Sequence, residues 1–189
     1  RDDAAGECFD KGARILGLPY PGGPAIAAEA EKFQITNSKL QIKLPRPLIY
    51  EDTYDFSFSG LKTALKRTSG KPAELAYELQ EAIVEVLVTR VIRAVEEFNP
   101  KSVLLGGGVA ANSRLRQLLK LKMQSDTRST GLRLRGRSDS RSSGQECKVY
   151  IPEPKLCTDN AVSIAAAAYY NYTPLPWHKI KTNPSLEIV

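Results

Sequence analysis

Several stretches of the sequence pair residue types with spacings that chemistry can use. The first is Leu104-Leu105-Gly106-Gly107-Gly108-Val109-Ala110-Ala111-Asn112. A short apolar run, Ser102 to Leu105, suits a buried parallel strand. It ends in three glycines and leads into a helix expected around Ala111 to Leu121. Glycine has no Cβ and lets a ligand approach the backbone. A helix N-terminus adds free N–H groups and the positive end of a dipole. A nucleotide or phosphate is the natural guest. The stretch is not a P-loop, because no Gly-Lys-Ser/Thr follows, nor the Gly-x-Gly-x-x-Gly fingerprint in its usual setting. A tight turn that binds nothing explains the spacing equally well. The Asn112 amide can donate and accept, which suits an adenine edge or a ribose hydroxyl. As a plain N-cap it would satisfy helix donors instead, and residue type alone favours the cap.

Cys157-Thr158-Asp159-Asn160 opens a second helix, expected from Thr158 to Tyr170, just after a strand. Asp159 can bind a hard or borderline cation. It can equally cap the helix, and one carboxylate does not make a metal site. Cys157 beside it reads as a buried, inert thiol. Asp10 lies on the polar side of an N-terminal helix and Gly22-Gly23 follows. The group can line one side of a nucleoside pocket, but a surface acid followed by a turn is the simpler reading. His178, the only histidine, stands in a proline-rich tail with no Ser/His/Asp set around it.

These residues need elements to position them. Ala5, Phe9, Ala13 and Leu16 share one face of a helix over Asp3 to Leu16, stopped by Gly17. A turn at Gly22-Gly23-Pro24 starts the next helix, with Pro24 expected at its first position. Residues 33–60 alternate at Leu40, Ile42 and Leu44, and again at Phe56 and Phe58, and are expected to form strands and turns. Leu61 to Arg67 suits a short helix. From Pro72 to Phe98, a stripe of Leu75, Leu79, Ile83, Leu87, Val91, Val95 and Phe98 predicts a long helix. Its Glu74, Glu78, Glu81 and Glu85 are expected to face away from the core. Lys148 to Ile151 reads as a further strand. Alternation of strands and helices after residue 99 places the chain in the α/β class with at least part of its sheet parallel. Residues 122–146, rich in Arg and Ser, read as a disordered insertion, and 173–189 as an unpatterned tail.

The bulk properties set wide bounds. The chain has 189 residues with 42% hydrophobic content, which suits one domain or one large lobe plus an appendage. It begins with Arg1 and its only methionine is Met123, so it is expected to be part of a longer protein. Lys and Arg number 27 against 21 Asp and Glu, a net charge of +6. This mildly favours a polyanion such as RNA, but a basic protein without nucleic acid is nearly as consistent. The cysteines Cys8, Cys147 and Cys157 are scattered, which fits a reducing cytoplasm. No apolar run approaches the ~20 residues that span a bilayer, so no membrane association is expected.

Taken together, the blocks resemble one family. Asp2-Asp3-Ala4-Ala5-Gly6-Glu7, Phe9-Asp10-Lys11, Leu16-Gly17-Leu18 and Tyr20-Pro21-Gly22-Gly23-Pro24 resemble its segment entering the second lobe. Asp55-Phe56-Ser57-Phe58-Ser59-Gly60-Leu61-Lys62-Thr63, Gly107-Gly108-Val109-Ala110-Ala111-Asn112 and Leu156-Cys157-Thr158-Asp159-Asn160-Ala161 follow in the family's order. The family is TsaD, the tRNA N6-adenosine threonylcarbamoyltransferases, and the resemblance covers residues 2–121 and 147–170.

The resemblance implies an actin/Hsp70/sugar-kinase-like (ASKHA) fold, of which 1–121 and 147–172 would be the C-terminal lobe. It implies transfer of a threonylcarbamoyl group from threonylcarbamoyl-AMP to the N6 amine of the adenosine 3′ of the anticodon, in tRNAs reading ANN codons. By position, Asp10, Gly23 and Asn112 resemble the family's adenylate contacts, and Asp159 its metal ligand from this half. The metal would be one divalent ion, iron or zinc. Expected partners are tRNA and TsaB-like and TsaE-like proteins, in the cytoplasm. The family's paired histidine ligands and a further glycine-rich loop have no counterpart here, so the chain alone is expected to hold about half a site and to be inactive. A non-catalytic nucleotide-binding scaffold of the same fold is the alternative, against which Asp159 beside an intact Asn112 argues. An older reading of the family as a glycoprotease finds no His-Glu-x-x-His here.

Overall fold

Helix α4 (Pro72–Phe98) organises the chain. Its apolar stripe gives it a core face, Pro72 at its first turn starts it, and Asn99, in the left-handed region at φ 45°, ends it. The computed structural model describes residues 3–35, 39–129, 147–172, 174 and 176–179, with only the backbone of 125–129 and 177. Contacts divide the chain into one unit of Arg1–Thr158 and another of Asp159–Val189.

In the first unit, α1 (Ala5–Ile15), α2 (Gly22–Ile35) and α3 (Ser59–Arg67) gather on the N-terminal half of α4. Phe9, Ile26, Leu61, Leu79 and Ile83 form the centre of that cluster. A second cluster joins Val84 and Val88 of α4 to Leu115, Leu119 and Met123 of α5 (Ser113–Ser129). Strands β1 (Ser102–Leu104) and β2 (Lys148–Tyr150) pair in parallel, with Val103 opposite Val149. The molecule is therefore mixed α/β with a small parallel sheet. In the second unit, α6 (Ala161–Tyr170) buries none of its residues. No described helix is long and apolar enough to cross a membrane.

Several expectations change. Residues 33–35 extend α2, and among the described residues between 39 and 58 no strand forms. The alternation of Ile42 and Leu44 is satisfied against α4 rather than in a sheet. Glu74 accepts from the backbone N–H of Gln41 and Glu78 from that of Leu44, each at 2.8 Å, so the donors a neighbouring strand would take are used.

The glutamates of α4 do not all face away. Glu78 and Glu81 are buried. Arg46 pairs with Glu78, and its Nε donates to Glu85 at 2.6 Å. Burial works against the charge on Arg46, but its bonds to Glu78 and Glu85 outweigh it and push its pKa above the usual arginine value. Arg114 of α5 donates to both oxygens of Glu81 at 2.7 Å. That bond raises the Arg114 pKa, with burial opposing.

Strand β1 is half-buried at Ser102 and Val103, and Leu104 is exposed, so the run is not the buried strand its apolarity suggested. Helix α5 continues to Ser129, so residues 122–129 of the expected insertion are helical; residues 130–146 lie outside the described residues. Most of the expected tail is also outside them, apart from a single 3-10 turn at Trp177–Lys179.

Candidate functional site

The first unit holds a cavity of about 610 Å³ built from three chain segments and the residue at its end. Helix α1 contributes Gly6, Phe9 and Asp10. The start of α2 contributes Pro21, Gly23, Pro24 and Ala27. The turn after β1 contributes Gly108, Val109, Ala111, Asn112 and Ser113, and Thr158 completes the wall. The lining is mostly apolar, with a few polar groups placed among apolar walls, which is the composition of a small-molecule site.

Local sequence explains how these segments converge. Gly22 sits where α2 meets α1: a Cβ there would fall 2.4 Å from the Asp10 Cα and 2.7 Å from the Phe9 carbonyl oxygen. Its N–H donates to Asp10 Oδ1 at 2.8 Å. Asp10 is therefore half-buried and sits at the N-terminus of α2, where a carboxylate is favoured by free N–H groups and the helix dipole. The surface-acid reading of Asp10 is corrected by this bond. Helix α2 also begins two residues earlier than expected, so Pro24 is its third residue, not its first.

On the opposite wall, Gly107 has φ 82°, a conformation other residues rarely adopt, and a Cβ at Gly106, Gly107 or Gly108 would meet nothing within 4 Å. The triple glycine thus presents bare backbone to open space. It does not run straight into the α-helix: a 3-10 turn at Gly108–Ala111 intervenes, and α5 begins at Ser113.

Asn112 caps α5, its Oδ1 accepting from the Leu115 N–H at 2.9 Å. It also lines the cavity, so cap and wall coexist in one residue. Its Nδ2 donates to Gln80 Oε1 of α4 at 2.9 Å.

Two further residues hold the site together, and nothing in the sequence singles out either of them. Gln80, 4% exposed, receives the Asn112 amide. Arg116 Nε donates to the Ala110 carbonyl at 2.5 Å, while its Nη2 donates to the Pro152 carbonyl at 2.7 Å and to Cys157 Sγ at 3.1 Å. Arg116 therefore ties the glycine turn to the segment that leads to Thr158. Cys157 is buried as expected, but its contacts include a guanidinium rather than small apolar groups alone.

The structure thus brings Asp10, Gly23 and Asn112 onto one cavity. Asp159 belongs to the second unit and is exposed. It is not the helix cap. Asn160 holds that place, its Oδ1 accepting from the Ser163 N–H at 3.1 Å, and the helix starts at Ala161 rather than at Thr158. Among the described residues, no group of three His, Cys, Asp or Glu side chains stands together as a metal site. A lone carboxylate does not by itself make a metal centre, so the described residues do not hold a resident cation on their own.

The chain matches the family described as TsaD, tRNA N6-adenosine threonylcarbamoyltransferase, over residues 1–166. A tRNA N6-adenosine threonylcarbamoyltransferase of Syntrophomonas wolfei is 42% identical over 180 residues, which are 91% of this chain and 46% of that protein. The protein of the same name from Desulfotalea psychrophila is 41% identical over 186 residues, 91% of this chain and 47% of its own length. The one from Bacillus thuringiensis is 40% identical over 199 aligned positions, 100% of this chain and 51% of its own length. The chain spans about half the length of the curated relatives it matches.

Proposed function

This chain belongs to the TsaD family, and from that premise we propose that it forms the adenylate-binding half of a tRNA N6-adenosine threonylcarbamoyltransferase. In this reading residues 1–121 and 147–172 are the C-terminal lobe of an ASKHA fold, and 122–146 is an insertion in it. The substrate is threonylcarbamoyl-AMP and the acceptor is the N6 amine of the adenosine 3′ of the anticodon in tRNAs reading ANN codons. The amine forms a C–N bond to the carbamoyl carbon and gives up a proton. The bond from that carbon to the phosphate oxygen breaks, and AMP leaves with the electron pair.

The observation that carries this reading is the convergence of Asp10, Gly23 and Asn112 on one cavity beside a glycine turn. Each has a role consistent with its surroundings. Asp10 uses one acceptor position on the Gly22 N–H and keeps further acceptor capacity for a ribose hydroxyl. Gly23 leaves its wall open, because a Cβ there meets nothing within 4 Å. The Asn112 amide offers a donor and an acceptor. Phe9, Pro21, Pro24 and Val109 supply apolar surface for a purine and keep water away from it. By the resemblance, Asp159 would supply one ligand to a divalent ion, iron or zinc, whose remaining ligands would come from outside the described residues and which would supply Lewis-acid chemistry to the whole enzyme. The TsaB-like and TsaE-like proteins are the partners of the whole enzyme, which works in the cytoplasm.

The test is reconstitution of the whole enzyme with those partners, unmodified tRNA and threonylcarbamoyl-AMP, with nucleosides from the digested tRNA analysed by mass spectrometry. Threonylcarbamoyladenosine is expected. Asn112→Ala is expected to raise KM for threonylcarbamoyl-AMP about ten-fold, because it deletes one well-placed hydrogen-bonding group from a site that excludes water. Intact partners and wild-type enzyme that leave the adenosine unmodified would count against the assignment.

A further inference from the structure

We propose that Gln80 is a positioning residue for this site: it holds the Asn112 amide in the one orientation that presents a donor and an acceptor to the cavity. The inference rests on the reading of Asn112 as an adenylate contact.

The orientation follows from donor and acceptor types. The Leu115 backbone N–H can only donate, so Asn112 must face it with Oδ1, at 2.9 Å. That choice turns Nδ2 toward α4, where Gln80 receives it on Oε1 at 2.9 Å. Two fixed bonds define the plane of the amide. What remains for the cavity is the second Nδ2 hydrogen and the remaining acceptor capacity of Oδ1, both with set directions. With the cap bond alone, the amide can swing about the line from Oδ1 to the Leu115 nitrogen, and the cavity would meet an average of orientations.

Gln80 is itself held. It is 4% exposed on a helix whose next residue, Glu81, is bound through both oxygens by Arg114 at 2.7 Å. Arg114 lies two residues beyond Asn112, so this pair locks the crossing of α4 and α5 where the amides meet. Gln80 also lines a second cavity, of about 310 Å³, with Glu31, Gln34 and Gln117. A polar side chain buried at that depth, with its acceptor on a residue of the adenylate cavity, is better explained by orientation than by packing, which an apolar residue would serve without desolvating an amide.

The experiment measures KM and kcat for threonylcarbamoyl-AMP, with the melting temperature, in the whole reconstituted enzyme. Gln80→Met keeps the length and removes the acceptor. Gln80→Glu restores an acceptor at the same place. Gln117→Met, on the same second cavity, controls for packing. The methionine variant at Gln80 is expected to raise KM about five-fold with kcat nearly unchanged, within the range of one neutral hydrogen bond. The glutamate variant is expected to recover part of that affinity, and Gln117→Met to leave KM as in the wild type. Gln80→Asn, which withdraws the amide by one methylene, reads the same bond should the methionine variant be too unstable to purify. The proposal is overturned if Gln80→Met leaves KM unchanged, if Met and Glu raise it equally, or if the Gln117 control raises it as much. An unchanged KM in Asn112→Ala would remove the adenylate-contact reading, and the role of Gln80 with it. A raised KM in Asn112→Ala beside an unchanged one in Gln80→Met removes the role of Gln80 alone.

Discussion

Helices α4 and α6 are both rich in apolar residues, yet one is the centre of the core and the other buries nothing. Helix α4 hides Leu75, Leu79, Ile83, Val84 and Val86, and even Gln80, Glu78, Glu81 and Arg90. Helix α6 carries Val162, Ile164, Tyr169 and Tyr170, all exposed. Burial is decided by what reaches a helix as much as by its own composition. Around α4, helices α1, α2, α3 and α5 take the apolar faces, and Arg46 and Arg114 reach the carboxylates. Within its own unit α6 buries none of its residues. A buried glutamate marks a well-covered helix better than an exposed valine marks a poorly covered one, because apolar surface tolerates water and a buried charge tolerates no lack of a partner.

The largest expected effect comes from removing such a partner. Arg46→Met leaves Glu78, 1% exposed, without its guanidinium. It is expected to lower unfolding stability by about 3–5 kcal/mol, the cost of an uncompensated buried charge. The double variant Arg46→Met/Glu78→Met is expected to recover most of that. Urea unfolding of the four combinations decides it, and a drop below about 1 kcal/mol in the single variant would mean that water reaches Glu78 after all. Methyl-group deletions give the next effect. Leu79→Ala in α4 is expected to cost about 2–5 kcal/mol, whereas Ile164→Ala in α6 is expected to stay within about 0.5 kcal/mol. If Ile164→Ala proved as costly as Leu79→Ala, α6 would be covered in solution and the contrast between the two helices would fail.

The same contrast explains what is legible in the sequence. The stripe from Leu75 to Phe98 announces α4, and the apolar runs at Ser102 and Lys148 announce both strands, because local periodicity reports directly on local structure. Residues 39–58 look like strands and are not, because the period of two at Ile42 and Leu44 says only that alternate residues are buried. It does not say whether a strand or the glutamates of α4 will take the N–H groups of the segment, as Glu74 and Glu78 take those of Gln41 and Leu44. The burial of Glu78 is invisible for a related reason: Arg46 lies more than thirty positions away in the chain. At the site, the glycine turn and the cap by Asn112 can be read locally. The approach of Asp10 to Gly22 has no local signature: residue types allow Asp10 and Gly22-Gly23 to line a nucleoside pocket but favour a surface acid, and resemblance to a family tips the balance. Gln80 looks like one more outward polar residue on α4, since nothing near it in sequence points to Asn112.

The smallest effect lies at the exposed end of α4, where cover thins and water returns. Tyr54 donates from its hydroxyl to Glu97 Oε2 at 2.5 Å. That bond to a carboxylate, with some help from burial, pushes the phenol up to about 12 from its usual value near 10. The folded state therefore holds the Tyr54 proton more tightly than the unfolded chain does. The resulting stabilisation is complete below about pH 10, where both states are protonated, and fades as pH rises through about 12. Tyrosinate absorbance during an alkaline titration should show a late component near pH 12 that loses one tyrosine's amplitude in Tyr54→Phe and shifts back toward about 10 in Glu97→Ala, while Tyr77, raised by burial, stays late in both. A late component that Glu97→Ala leaves unchanged would show that the bond to Glu97 does not persist in water. The end of α4 would then resemble α6, and the line between the covered and the bare helix would fall inside α4 itself.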